Sequence, residues 1–229
     1  MTKSILIAVL ISLLTISCQN SGEQGAIPPV VDTTLTDGGI TSGNVDSGDE
    51  GRYAWQKPEL VIDKLGDIRG KIIADIGAGT GYFTFRLIPR AEKVIAVDID
   101  PNMIELIKIF RENLDSLQQQ KIETRLAKSD DPMLDEAEID IAVIINTIGY
   151  IGDRSAYLAN LSKSLKEGGE VMIVDFKMKR IPDNIAPPIE YRVNILELEN
   201  LLEEIGYQLI STDDRSLDYQ FILKARKKP

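Results

Sequence analysis

From residue 58 onward, short apolar runs alternate with segments whose apolar residues return every three or four positions. The runs at 71–76, 94–98, 121–127, 140–146, 170–176, 207–211 and 219–224 read as strands. Between them, Met103, Leu106, Phe110, Leu114 and Leu117 recur at helical spacing. So do Tyr157 or Leu158 with Leu161 and Leu165, and later Ile195, Leu198, Leu202 and Ile205. These stripes are expected to face a core. Strands alternating with helices predict an α/β domain on a parallel sheet.

The pattern before residue 52 is different. Lys3 precedes an apolar run from Ile5 to Ile16 that only Ser12 and Thr15 interrupt. The run is too short to span a bilayer comfortably and reads as a secretion signal. It ends Thr15-Ile16-Ser17-Cys18, which resembles a bacterial lipoprotein box, with Thr15 where leucine is usual. That resemblance implies lipidation of Cys18 and anchoring at the surface of a membrane in the cell envelope. An ordinary cleaved signal or an N-terminal anchor helix are the alternatives, and a cytoplasmic protein follows if the segment is not a signal. Residues 19–51 are rich in Gly, Ser, Thr, Asp and Pro and show no periodicity, which predicts a disordered tether. The expected organisation is a signal over 1–18, a tether over 19–51 and one folded domain over 52–229.

The candidate chemistry begins where the first strand ends. Asp75-Ile76-Gly77-Ala78-Gly79-Thr80-Gly81 places glycines at alternate positions between a strand and a helix expected from Tyr82 to about Ile88. Such a turn brings backbone close to a ligand and presents N–H groups at the start of the helix. The next strand closes on Asp98, about 20 residues beyond the loop, where a carboxylate commonly holds ribose hydroxyls. The spacing is G-x-G-x-G, with Tyr82 where a dinucleotide fingerprint needs a third small residue. No Gly-Lys-Ser/Thr follows, so the loop is not a P-loop. The expected ligand therefore carries a ribose and no pyrophosphate, and S-adenosylmethionine (SAM) meets that condition.

Residues 75–81 resemble motif I of class I SAM-dependent methyltransferases. Residues 94–103 resemble the second motif, and Leu165 to Asp175 resembles the turn and fifth strand. The resemblance runs from Arg52 to about Ala225. It implies a Rossmann-like three-layer sandwich with a seven-stranded, mostly parallel sheet and an antiparallel last strand. It also implies that Asp75, Gly77, Ala78, Gly79, Gly81, Asp98 and Asn146 bind the cofactor, with Asp75 toward the methionine amino end. Ile99 would lie against adenine, and Asp130 or Asp131 near its amino group, Asp130 being preferred. Asn146 and Tyr150 follow strand four, where the methyl acceptor approaches. Tyr150 is the weak candidate for a base, with a purely structural loop tyrosine as the alternative. Arg52-x-x-Trp55-Gln56-x-Pro58 is similar to a segment in one small subgroup, which suggests Trp55 and Gln56 as a lid over the cofactor or as a pin for the tail. Glu190 and Arg192 are candidates for substrate contact or for a surface pair.

Composition narrows the function. The net charge of −10 disfavours a nucleic-acid substrate. There is no histidine, which removes the commonest general base and metal ligand, and no metal is expected. The single cysteine allows no disulfide within the chain. The expected activity is methyl transfer from SAM to a small-molecule acceptor. A non-catalytic lipoprotein that binds SAM or another adenosine ligand is the alternative. A nicotinamide-dependent oxidoreductase is disfavoured by Tyr82.

Overall fold

The computed structural model describes residues 48–228, so the expected signal, Cys18 and nearly all of the tether lie outside the described residues. Two short helices open the described chain, α1 (Gly48–Gln56) and α2 (Pro58–Asp63). Then come β1 (Ile72–Ile76), α3 (Thr84–Leu87), β2 (Lys93–Asp98), α4 (Pro101–Glu112), α5 (Ser116–Gln120) and β3 (Ile122–Leu126). The second half holds β4 (Ile139–Ile145), α6 (Arg154–Ser164), β5 (Leu165–Phe176), α7 (Ile195–Glu204), β6 (Tyr207–Asp213) and β7 (Gln220–Lys227). Single 3-10 turns stand at Ile148–Tyr150 and Ile189–Tyr191.

All seven strands join one sheet in the order β3-β2-β1-β4-β5-β7-β6. The pairs among β1 to β5 are parallel, and β7 runs antiparallel to both β5 and β6. The expected mostly parallel sheet with an antiparallel last strand is therefore the one observed. Its two faces carry separate apolar clusters. One takes Ile73, Val143, Met172 and Val174 with Phe85 and Ile107. The other takes Ala74, Ile76, Val97, Ile144 and Ile173 with Leu158, Leu198 and Leu202. Burial on both faces explains why the central strands read as continuous apolar runs. The chain reverses its direction of growth between β1 and β4, which opens a crevice beyond their carboxyl ends.

Several expected boundaries move. Helix α1 begins at Gly48, inside the segment expected as tether. The helix expected from Tyr82 is regular only over Thr84–Leu87, because residues before it are wound into turns and Phe83 supplies no side-chain cap. Leu117 is not a core residue: α4 stops at Glu112, and Leu117 sits exposed on α5, where the Asp115 side chain accepts from its N–H as the cap of a new helix. Leu165 belongs to β5, opposite Ile139, because α6 ends at Ser164. Met103 and Leu106 flank the buried stripe of α4, whose buried residues are Ile104 and Ile107. The stripe of α7 faces the core as expected. No helix among the described residues is long and apolar enough to cross a membrane.

Candidate functional site

The glycine loop leaves β1 and folds back onto β2. The N–H groups of Gly77 and Ala78 both donate to the Val97 carbonyl, at 2.8 and 3.0 Å. Gly77 has φ +71°, and a Cβ there would run into the Thr147 side chain, so only glycine allows this turn beside the loop that follows β4. Gly79, at φ +55°, faces open space instead. Its N–H donates to Asp98 Oδ2 at 2.7 Å. The N–H groups of Gly77, Ala78 and Gly79 are thus all engaged by the end of β2.

Asp98 is the hinge of this arrangement. Its second oxygen accepts from the Asp100 N–H at 2.9 Å. Asp100 in turn caps α4 by accepting from Asn102, as its place before Pro101 predicts. A carboxylate offers about four lone-pair positions, so Asp98 keeps acceptor capacity toward the crevice after these two bonds. Beside it a pocket of about 230 Å³ opens between the ends of β1, β2, β3 and β4. Asp98, Ile99, Ser129, Thr147, Tyr150 and Tyr157 are among its lining residues. Ile99 is 61% exposed, an apolar wall of the kind a planar base covers. Volumes of about 300–1,000 Å³ are usual for whole small-molecule sites, so this pocket matches a nucleoside-sized part of a ligand.

Of the expected cofactor residues, Gly77, Asp98 and Ile99 line the pocket. Ala78, Gly79 and Gly81 shape the loop from behind. Asp130 is exposed and is not among the lining residues, and Asp131 turns to accept from the Met133 N–H. Ser129 and Lys128 line the wall in their place. Ser129, Thr147, Ile151 and Tyr157 escaped the sequence reading because each is a single unremarkable residue, brought in from the end of β3, the turn after β4 and helix α6. Burial pushes the Tyr157 hydroxyl well above its ordinary range, with the Asp131 and Asp98 charges adding to it. Among the described residues no cluster of His, Cys, Asp or Glu is arranged to hold a metal.

The other face of the sheet edge is polar and covered. Asp75 is buried, accepts from the Thr84 hydroxyl at 2.7 Å, and is pushed by burial up to about 6. Helix α1 lies over this side. Trp55 packs on Phe176 at 5.7 Å between ring centroids, Arg52 stands 3.9 Å over the Tyr82 ring, and Arg52 Nε donates to Gln56 Oε1 at 2.6 Å. Arg86 stands on Tyr82 at 3.8 Å. Gln220, at the start of β7, donates to the Asn146 side chain. Asn146 itself sits at φ 57°, a left-handed conformation that asparagine tolerates, and is outside the pocket lining. Gln56 Nε2, Gln220 Oε1 and Asp175 Oδ2 are buried without a hydrogen-bond partner. Each such atom costs about 1–3 kcal/mol unless something satisfies it.

At the mouth, Tyr150 stacks on Tyr191 at 5.5 Å and 25°, and both remain substantially exposed. Burial raises the Tyr150 hydroxyl, with the charge of Asp175 and then Tyr191 contributing. Asp175, at the end of β5, is pushed by burial up to about 6. Arg192 donates to the carbonyls of Pro187 and Lys179 at 2.8 and 2.7 Å, and so ties its own loop together.

Residues 74–171 match the family model Methyltransf_12, a methyltransferase domain. The ubiquinone/menaquinone biosynthesis C-methyltransferase UbiE of Geobacter sp. (strain M21) is 25% identical over 131 residues, covering 56% of this chain and 54% of that protein. The demethylmenaquinone methyltransferase of Tropheryma whipplei (strain Twist) is 26% identical over 155 residues, covering 68% and 59%. The chain thus spans a little over half the length of these curated relatives. Among solved structures, a SAM-dependent methyltransferase of Aquifex aeolicus superposes with a TM-score of 0.69 at 21% identity, over 77% of this chain and 92% of that one. The [4+2]-cyclase SpnF superposes with a TM-score of 0.63 at 14% identity, over 76% and 82%, so the fold alone does not fix the reaction. The sheet thus has the fold of solved SAM-dependent methyltransferases, and residues 74–171 are similar to a methyltransferase domain.

Proposed function

We propose that this chain is a SAM-dependent methyltransferase acting on a small-molecule acceptor. The observation that carries the reading is the glycine loop committed to Asp98 beside a nucleoside-sized pocket. Asp98 would accept from the ribose hydroxyls while Ile99 covers one face of the base. Asp75 supplies a buried negative charge for a cationic ligand, held in place by Thr84. When bound, SAM supplies a methyl group already activated by its sulfonium. The protein then has to align donor and acceptor and exclude water, and proximity alone is worth roughly 7–11 kcal/mol.

The names of the relatives point toward quinone-type aromatic acceptors. The Tyr150–Tyr191 pair offers aromatic faces for such a ring at the mouth of the pocket. Methyl transfer to a phenolic oxygen or ring carbon releases one proton. With no histidine in the chain, that proton would leave to water, and Tyr150, whose hydroxyl burial raises above its ordinary value, would orient the acceptor as a hydrogen-bond donor and not as a base. Trp55 and Gln56 serve as a lid on the opposite side, and Cys18 as the lipid anchor. The test is an assay with methyl-labelled SAM, the full chain and a panel of hydroquinones, catechols and small amines. Labelled product with stoichiometric S-adenosylhomocysteine, reduced at least tenfold by Asp98→Asn, is expected. No product with any acceptor would count against catalysis.

A further inference from the structure

We propose that the rim of the pocket, built from Ile99, Tyr150, Met178, Ile189 and Tyr191 with Lys179 and Arg180 beside them, docks on an anionic lipid surface. The five apolar side chains are 46–61% exposed. Topology brings them to one edge. Ile99 follows β2, Tyr150 follows β4, Met178 follows β5, and Ile189 and Tyr191 lie on the return from β5 to α7. Those strands are parallel to their neighbours in the β2-β1-β4-β5 run, so all five residues stand at the carboxyl edge of the sheet. Contacts join them. Ile99 and Tyr150 both line the pocket, and Tyr150 stacks on Tyr191. Arg192 donates to the Lys179 carbonyl at 2.7 Å, which ties the 178–180 loop to the 189–191 turn. A Cβ on Gly149 would overlap the Tyr191 carbonyl, so this glycine lets the two 3-10 turns seat on each other. Exposed apolar side chains that are joined in this way, rather than scattered, mark an interaction surface.

Charge and chain path indicate lipid as the occupant. Residues 177–192 carry Lys177, Lys179, Arg180 and Arg192 against Asp183 and Glu190, a cationic segment in a chain of net charge −10. Lys177 and Arg192 spend their donors on backbone carbonyls. Lys179 and Arg180 are exposed, and Lys179 Nζ stands 5.8 Å from the Tyr219 ring centroid. Tyrosines and aliphatic side chains flanked by Lys and Arg suit the boundary between headgroups and acyl chains. The chain also enters the domain near this edge. Trp55 of α1 packs on Phe176, the residue that opens onto the 177–180 loop, and Gly48 lies about 10 Å from Trp55 along the helix. With the lipid attachment proposed for Cys18, residues 19–47 as a random coil would reach about 30 Å, which holds the rim close to the bilayer. A domain docked in this way opens its pocket onto the lipid. The contact holds or fails whatever the pocket binds.

The experiment uses the full chain with Cys18→Ser, which leaves no thiol. One cysteine is then put back by Met178→Cys, Ile189→Cys or Leu117→Cys and labelled with a polarity-sensitive fluorophore. Leu117 is exposed on α5, just before β3 and so at the opposite edge of the sheet. Vesicles of phosphatidylglycerol and phosphatidylcholine in equal parts are compared with phosphatidylcholine alone. The probes at 178 and 189 should brighten and shift to the blue on the anionic vesicles, with a response at least about twofold smaller on the neutral ones. The probe at 117 should not respond. Tyr191→Ser should reduce the response at 178 by about twofold or more, with an unchanged unfolding midpoint showing that this variant is folded. Capture of the chain by its apolar leader alone would leave all three probes unchanged and overturn the proposal. An equal response at 117, or an equal response to both lipids, would overturn it as well. So would a response that grows with protein concentration in the absence of vesicles, which would assign the rim to a second copy of the chain.

Discussion

A buried carboxylate raised to about 6 makes the site sensitive to pH in a defined direction. Desolvation favours the protonated form of Asp75, so a cationic ligand must first displace that proton at acid pH. Affinity for SAM should rise from pH 5 to pH 7 and level off above, and Asp75→Asn should remove the slope. A flat profile in the wild type, measured by calorimetry, would count against Asp75 as the partner of the cation. The same shift has the opposite sign for folding. The native state holds protons that the unfolded chain releases near 3.8, so the stability given by Asp75 and Asp175 falls as pH rises from about 4 to about 6. Gly77→Ala combines positive φ with a clash against Thr147. It should cost about 1–3 kcal/mol in urea unfolding and abolish ligand binding. An unchanged unfolding midpoint would show that the turn tolerates a side chain. At this scale, Asp98 and the glycines were legible in the sequence because their spacing along one strand-loop-helix unit is itself the signal. Tyr157, Thr147, Gln220 and the pairing of Gln56 with Arg52 were not, since each depends on which elements fold together. Asp130 misled because an Asp-Asp-Pro turn reads the same whether or not it faces a ligand.

At the scale of elements, the alternation of periods placed all seven strands within a few residues, and the errors fall where local patterns overlap. Leu165 continues the helical spacing of Leu158 and Leu161, yet pairing with Ile139 wins and draws it into β5. Leu117 keeps the spacing of α4 after that helix has ended, because Asp115 caps a new one. Helix α1 was hidden in a stretch whose Gly, Asp and Ser content reads as tether. Its hold on the domain comes from contacts, namely Trp55 on Phe176 and Arg52 on Tyr82, rather than from propensity. A helix of 9 residues is marginal alone, so α1 persists by that docking. Trp55→Ala should therefore free it, lowering stability by about 1–3 kcal/mol and weakening SAM binding in parallel. In hydrogen exchange, the amides of α1 should be slowed by S-adenosylhomocysteine in the wild type and not in Trp55→Ala. Exchange in α1 that ignores the ligand would leave Trp55 as a pin for the tail and remove the lid.

The whole molecule joins an acidic domain of methyltransferase-like fold to a leader that reads as an export signal, and the two readings are tested separately. Metabolic labelling with a palmitate analogue should mark the wild type and not Cys18→Ser, with the wild type alone in the membrane fraction. Equal distribution of both would set the lipid anchor aside without touching the domain. The central claim is that the carboxyl edge of the sheet, through Asp98, holds the adenosyl part of SAM. Calorimetric titration of the full chain with SAM, S-adenosylhomocysteine and NAD, with Asp98→Asn as the control, tests it most directly. Micromolar binding of the first two, none of NAD, and a loss of tenfold or more in the control is the predicted result. Binding of neither SAM nor S-adenosylhomocysteine, or binding that Asp98→Asn leaves intact, would contradict the account.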